Sequence, residues 1–434
     1  MQKTFTLPFG HSSLSFEIPW GHVDHVLHTN PIKPIKDESV PEYVLDAIEH
    51  PIGCPQLRDT VKPGDTVAFI CNDLTRVANS FAFMPTLLDY FNRLGVPDKN
   101  MKIVFSLGAH RDMTQAEMTE SVGKEAASRV QMFNSQAKRS EEFIFQGTTS
   151  RGTPVYIHKE ICNTDHVVLT GTIVQHYFAG YGGGRKAVLP GCSSLETITA
   201  NHKHMMDDRC RLGITTGNPC YEDQIEGVEL FAQKRNLFLF NAILNAKHEF
   251  LKMFAGHWVK AHLEACRFVD QVYGCPINEK ADLVIASCGG YPKDINIYQM
   301  QKTMDNARCA VKEGGVVIIF AECEEGAGND LLVETYKRLK NFDAIEAELR
   351  KNFRMGANKA FAISRNMQHA RYILVTSADP GLCKLMGFTG AYSSPKDAFE
   401  KAQEFLPKDP SIIVMPEASL TVPMVTKQQY FVWR

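Results

Sequence analysis

Between residues 65 and 419 the chain repeats one pattern, a short apolar run followed by a turn and then a stretch with helical spacing. The runs are DTVAFICND (65–73), MKIVFSLGAH (101–110), DHVVLTGTI (165–173), ADLVIASCGG (281–290), GGVVIIFAECEEG (314–326), RYILVTSA (371–378) and SIIVMPEAS (411–419). Continuous rather than alternating apolar residues indicate strands buried on both faces, and strands separated by helices indicate parallel pairing. Helical spacing is expected at 80–96, 113–129 with Thr114 as cap, 195–206, 256–272, 297–312, 330–340 and 395–405. Residues 4–7 with 13–18, and 141–161, read as hairpins. The pattern commits the chain to the α/β class with mainly parallel sheets.

A chain of 434 residues exceeds one core, since domains hold roughly 100–200 residues. GCPINEKAD (274–282) carries Gly, Pro and Asn and reads as a linker. We therefore expect an N-terminal α/β cofactor-binding and catalytic domain over 1–273 and a smaller C-terminal α/β domain over 274–434. The last residues are allowed to pack back on the first domain. An interdomain cleft is the expected ligand site. A net charge of −2 lacks the basic excess of nucleic-acid or membrane-surface binding. The first twenty residues lack a signal-peptide core, and no stretch reaches the roughly 18 apolar residues of a membrane span. With 12 scattered cysteines and no CxxC pair, the expectation is a cytoplasmic protein with reduced thiols and no zinc ribbon or iron–sulfur cluster.

Strand ends carry the chemistry-bearing residues. Asp73 and Arg76 follow the first run, His110 the second and His176 the third. Strands of one parallel sheet bring their carboxyl ends to a common rim, where ligands of open α/β sheets bind. Arginine suits bidentate capture of a carboxylate, and histidine suits proton transfer. Taken singly, Asp73 and Arg76 could be a loop ion pair, His110 a structural histidine, and Arg111 the functional neighbour. Residues 170–204 add a triple glycine (Gly182, Gly183, Gly184), Arg185, Lys186, His202 and His204. The three glycines allow close approach of a ligand or positive φ. Lys186 could meet a phosphate or form a covalent bond. GGGRK has neither the GxxxxGK[ST] nor the GxGxxG frame, so a hairpin tip with solvated cations is the alternative. His202 and His204 would point about 200° apart on a helix, which weakens a shared zinc. In the second domain Tyr298, Gln299 and Lys302 lie within one turn and could close over an anion. Lys293 lies on the same stretch, and a solvated helix start is the alternative.

Those residues resemble the nickel-dependent lactate racemase family, whose members use a nickel-pincer nucleotide. NDLTR, LGAHRD, QHYFAGYGGGRKAVLPG, ANHKHM and IYQMQK stand in the family's order over nearly the whole chain. The resemblance implies racemisation or epimerisation of a 2-hydroxy acid through a 2-keto acid. It implies a cofactor joined covalently to Lys186 and bordered by Gly182, Gly183, Gly184, Arg185 and Asp73. His202 would be the nickel ligand, and His110 and His176 the paired acid/base residues. Arg76 would hold the substrate carboxylate, with Tyr298, Gln299 and Lys302 enclosing substrate from the second domain. Cofactor-synthesis enzymes would be transient partners. Val77 stands where the family motif often has proline, which leaves the substrate side chain open. Competing readings are a metal-dependent hydrolase or nucleotide-binding enzyme using the histidines without the pincer group, and a non-catalytic cofactor carrier.

Overall fold

The computed structural model describes residues 4–339, 341–354 and 356–425. It divides into a unit of Ile32–Asp270 and a unit built from the chain before Ile32 and after Asp270. The first unit is organised on a six-stranded sheet. Its order is Phe250–His257, Asn236–Leu244, His166–Thr172, Val67–Asn72, Met101–Gly108, Gln131–Gln136. All neighbours are parallel except the first pair. The apolar runs lie inside it because side chains on both faces are covered. Phe69, Ile103, Phe105 and Phe240 face one core with Phe83, Leu87, Leu88 and Phe91 of the helix Ser80–Arg93. Ile70, Val104 and Leu169 face the other with Val188, Leu189 and Phe231.

Local chemistry sets the element ends. Thr114 caps Gln115–Val122 with Glu117 as reciprocal partner. The polar helix expected over 113–129 then breaks in two, because Gly123 takes φ +84° and the second piece starts at Lys124. Residues Gly256 and His257, expected as helix, finish the strand Phe250–His257, and the helix runs Lys260–Tyr273.

The second unit holds a fully parallel sheet in the order Gly390–Tyr392, Arg371–Val375, Val311–Phe320, Ala281–Ser287, Ser411–Met415, His22–Val26. Its N-terminal part departs from the expected domain boundary. Residues 4–31 belong with this unit, not with the first. The reason is twofold: His22–Val26 fills the open edge of Ser411–Met415, and the hairpin Thr4–Phe9 with Ser12–Glu17 buries Phe5, Leu7, Phe9 and Phe16 on the sheet beside Leu283, Ile318 and Phe320. The expected linker 274–282 is also partly strand, since Gly274–Ile277 pairs parallel with Val422–Val425 and buries Cys275 and Ile277. Residues 426–434, allowed to pack back on the first domain, lie outside the described residues.

Candidate functional site

The order of the first sheet reverses between two adjacent parallel strands, Val67–Asn72 and His166–Thr172. Connections leaving in opposite directions open a crevice at the carboxyl ends of such a pair. Asp73 follows one strand directly, Ile173–His176 the other, and His110 the next strand over. This topology puts the three strand-end residues at the same edge of the sheet.

Asp73 is buried and accepts hydrogen bonds on both oxygens. His110 Nδ1 donates to Oδ2, and the Thr75 hydroxyl donates to Oδ1 at 2.7 Å. Burial alone would raise this carboxyl; the bonds from His110 and Thr75 and the charges of His110 and Arg76 outweigh it and hold the group below its ordinary value. Asp73 therefore orients His110, a role that neither a cofactor contact nor a loop ion pair with Arg76 describes. Arg76 is exposed, its backbone N–H closing a turn on the Asp73 carbonyl at 3.1 Å. Arg111, the alternative to His110, is engaged by both carboxylate oxygens of Glu117.

His176 sits on a small hairpin in which Gln175–His176 pairs with Gly180–Tyr181. Its Nδ1 accepts the backbone N–H of Ala179 at 3.3 Å. Behind it, Gln175 Nε2 and Tyr181 Oη both donate to Asp270 at 2.8 Å. Burial pushes the Asp270 carboxyl up to about 6, against the lowering effect of those two bonds. The Phe178 ring is 2% exposed and is a common neighbour of the other groups. Its centroid lies 4.6 Å from that of His176, 5.0 Å from that of His202, and 5.7 Å from Lys186 Nζ.

The glycine run is shaped by the protein's own atoms. Gly183 has φ +68°, and a Cβ there would meet Ile173 Cγ1 at 2.6 Å and Asn241 Oδ1 at 2.8 Å. Gly184 has φ +53°, and a Cβ would meet His262 Cδ2 at 2.5 Å. Asn241 Oδ1 accepts the Gly184 N–H at 2.8 Å, and His262 Nε2 donates to the Gly182 carbonyl at 2.8 Å. Arg185, expected at the cofactor, turns inward. It is 1% exposed, stacks 3.8 Å above the Tyr221 ring and donates to the carbonyls of Ala179 and Tyr181. It is a strut for the loop rather than a solvated cation.

Lys186 follows in a short turn, Gly184–Ala187. Burial first, and then the Arg76 and Arg185 cations, push its amine well below the ordinary lysine range. His202 ends the helix Leu195–His202, which Ser194 caps through the Thr197 N–H at 3.2 Å. Burial and the neighbouring Lys186 charge push its imidazole down to about 3, against the raising effect of the Ile198 backbone. His204 points elsewhere, with Nε2 3.7 Å from Asp223. Among the described residues no three His, Cys, Asp or Glu side chains group to hold a metal ion. A metal on His202 would thus need ligands from outside the protein.

Asp73, Arg76, His110, His176, Lys186 and His202 all belong to the first unit. Tyr298, Gln299 and Lys302 belong to the second, at the start of the helix Ile297–Ala310, where Asn296 caps the Gln299 N–H at 3.0 Å and Lys302 Nζ donates to Gln299 Oε1. Sequence reasoning missed Phe178, Asn241, His262 and Asp270. Asn241 carried a readable signal, a lone amide inside the apolar strand NLFLFNAIL; the others carried none.

Two family models match the chain: the lactate racemase N-terminal domain over residues 9–213 and the lactate racemase C-terminal domain over 277–422. A lactate racemase of Thermoanaerobacterium thermosaccharolyticum is 35% identical over 339 residues, covering 77% of this chain and 78% of that protein. A lactate racemase of Lactiplantibacillus plantarum is 30% identical over 291 residues, with 67% and 68% covered. The solved lactate racemase apoprotein from T. thermosaccharolyticum superposes with a TM-score of 0.88 at 30% identity, covering 97% of this chain and 100% of that one. A Thermotoga maritima protein at 18% identity and a TM-score of 0.64, covering 92% and 100%, shares the fold.

Proposed function

Because the chain belongs to the lactate racemase family, we propose that it racemises or epimerises a 2-hydroxy acid by hydride transfer through a 2-keto acid, using a nickel-pincer nucleotide tethered to Lys186. The observation that carries this reading is the pair Lys186 and His202, both neighbours of the Phe178 ring. Burial keeps the amine low enough to be a nucleophile and the imidazole neutral enough to be a ligand. A buried imidazole kept neutral fits an added metal group. Lys186 would tether the nucleotide and His202 would bind its nickel. When bound, the group supplies a site that accepts a hydride from the substrate α-carbon and returns it.

The chain's own residues do the rest. Arg76, exposed beside the crevice, holds the substrate carboxylate as a pivot. His110 and His176 are the two groups that handle the hydroxyl proton, one for each orientation of the oxygen about that pivot. Leu74, Val77 and Val174 are exposed apolar side chains at the same strand ends, which favours a 2-hydroxy acid with an apolar substituent. The hydrolase alternative is weaker, because among the described residues no group of three His, Cys, Asp or Glu side chains could hold a metal ion.

The test is intact mass and metal content of protein produced together with the cofactor-synthesis enzymes. One added group on Lys186 with one nickel per chain is expected, and Lys186→Ala should lose both the adduct and turnover while keeping its circular dichroism. Unmodified protein carrying zinc would sink the proposal.

A further inference from the structure

The two histidines flanking the crevice are held in opposite protonation patterns by partners whose own roles leave no choice. Asp73 is an ionised carboxylate, so it can only accept, and His110 must carry its proton on Nδ1. That leaves the Nε2 of a neutral His110 bare. The Ala179 backbone N–H can only donate, so the Nδ1 it reaches at 3.3 Å on His176 must be bare. That places the proton of a neutral His176 on Nε2. The partner of the other ring nitrogen sets the tautomer, and here the two partners set it in opposite senses. Ala179 is fully buried within the hairpin turn, and Asp73 is 5% exposed, so both partners are fixed parts of the fold.

We propose that the free protein presents His110 to substrate as a proton acceptor and His176 as a hydrogen-bond donor, so the two enantiomers meet unequal groups. The tautomer assignment stands on geometry alone; its catalytic meaning rests on the racemase reading above. A hydroxyl beside His110 gives its proton directly to Nε2, leaving an imidazolium paired with Asp73. A hydroxyl beside His176 finds an N–H instead and accepts a hydrogen bond. His176 becomes a proton acceptor there only after the Ala179 bond breaks and its proton moves to Nδ1. The equilibrium constant of a one-centre racemisation is 1, so kcat/KM must be equal in the two directions. The inequality must then appear as unequal KM values with kcat unequal in the same ratio.

The experiment is long-range ¹H–¹⁵N correlation of the full chain labelled in histidine, without cofactor, at a pH above the ordinary histidine range of roughly 6.5. Signals are assigned with His110→Gln and His176→Gln. The expected result is protonated Nδ1 on His110 and protonated Nε2 on His176. The same tautomer on both, or a proton on Nδ1 of His176, overturns the proposal. In cofactor-loaded protein the two KM values for one 2-hydroxy acid should differ about two- to tenfold, the worth of one hydrogen bond; equal KM values overturn the catalytic consequence. Opposite tautomers with no turnover of any 2-hydroxy acid uphold the assignment and sink the racemase reading.

Discussion

Both oxygens of Asp73 are engaged by the protein, Oδ1 by Thr75 and Oδ2 by His110. A buried carboxylate that only orients an imidazole acts through that imidazole. Asp73→Asn keeps the shape but removes the charge and permits the wrong histidine tautomer. The expected loss is about 10²- to 10⁴-fold in kcat with a smaller change in KM, as for carboxylates that orient catalytic histidines elsewhere. Steady-state kinetics of the loaded enzyme, with a thermal melt to verify folding, checks it. An unchanged kcat would return Asp73 to an ordinary turn residue.

At the scale of elements, the hairpin bearing His176 is latched by one acid. Asp270 takes both the Gln175 amide and the Tyr181 hydroxyl, and its carboxyl is raised to about 6. A raised carboxyl binds its proton more tightly in the folded state than in the unfolded one, where its value is about 3.9. Its contribution is therefore present below about pH 4 and is lost as pH rises through about 6. Asp270→Asn should gain stability relative to the natural chain over that window, by at most about 3 kcal/mol. Urea denaturation at acid and neutral pH checks this; a constant difference across the window would remove Asp270 as the titrating group. Much of this element pattern was legible beforehand. Apolar runs located the strands, and Thr114 marked its cap. What was illegible depended on partners far along the chain. Nothing in the first thirty residues says that they complete the sheet of Ser411–Met415, and nothing in GCPI says that it pairs with Val422–Val425. Arg185 read as a cofactor contact because no local signal told of the Tyr221 ring above it, and no spacing linked His262 to Gly182.

For the molecule as a whole, His202 and His262 are both buried with imidazoles pushed down to about 3, chiefly by burial. Their unfolded values are about 6.5, so between about pH 6.5 and 3 the unfolded chain binds more protons. Their stabilising contribution is complete above about 6.5 and is lost on acidification, at up to about 1.4 kcal/mol per pH unit for each. This opposes the single carboxyl of Asp270, and His158, His204 and His257, also lowered by burial, act in the same direction as the two histidines. The unit Ile32–Asp270 should lose stability from pH 7 to 5, and His262→Gln should flatten that slope by about one proton. Denaturant titrations across the range measure it; an unaltered slope would mean that His262 is not buried neutral. His262 also presses on Gly184, while Asn241 and Ile173 hem in Gly183. A peptide segment fixed by its own surroundings is a mould finished before the casting. Folding alone delivers the Lys186 amine to its station, so the proposed group would be made on a separate schedule and joined late.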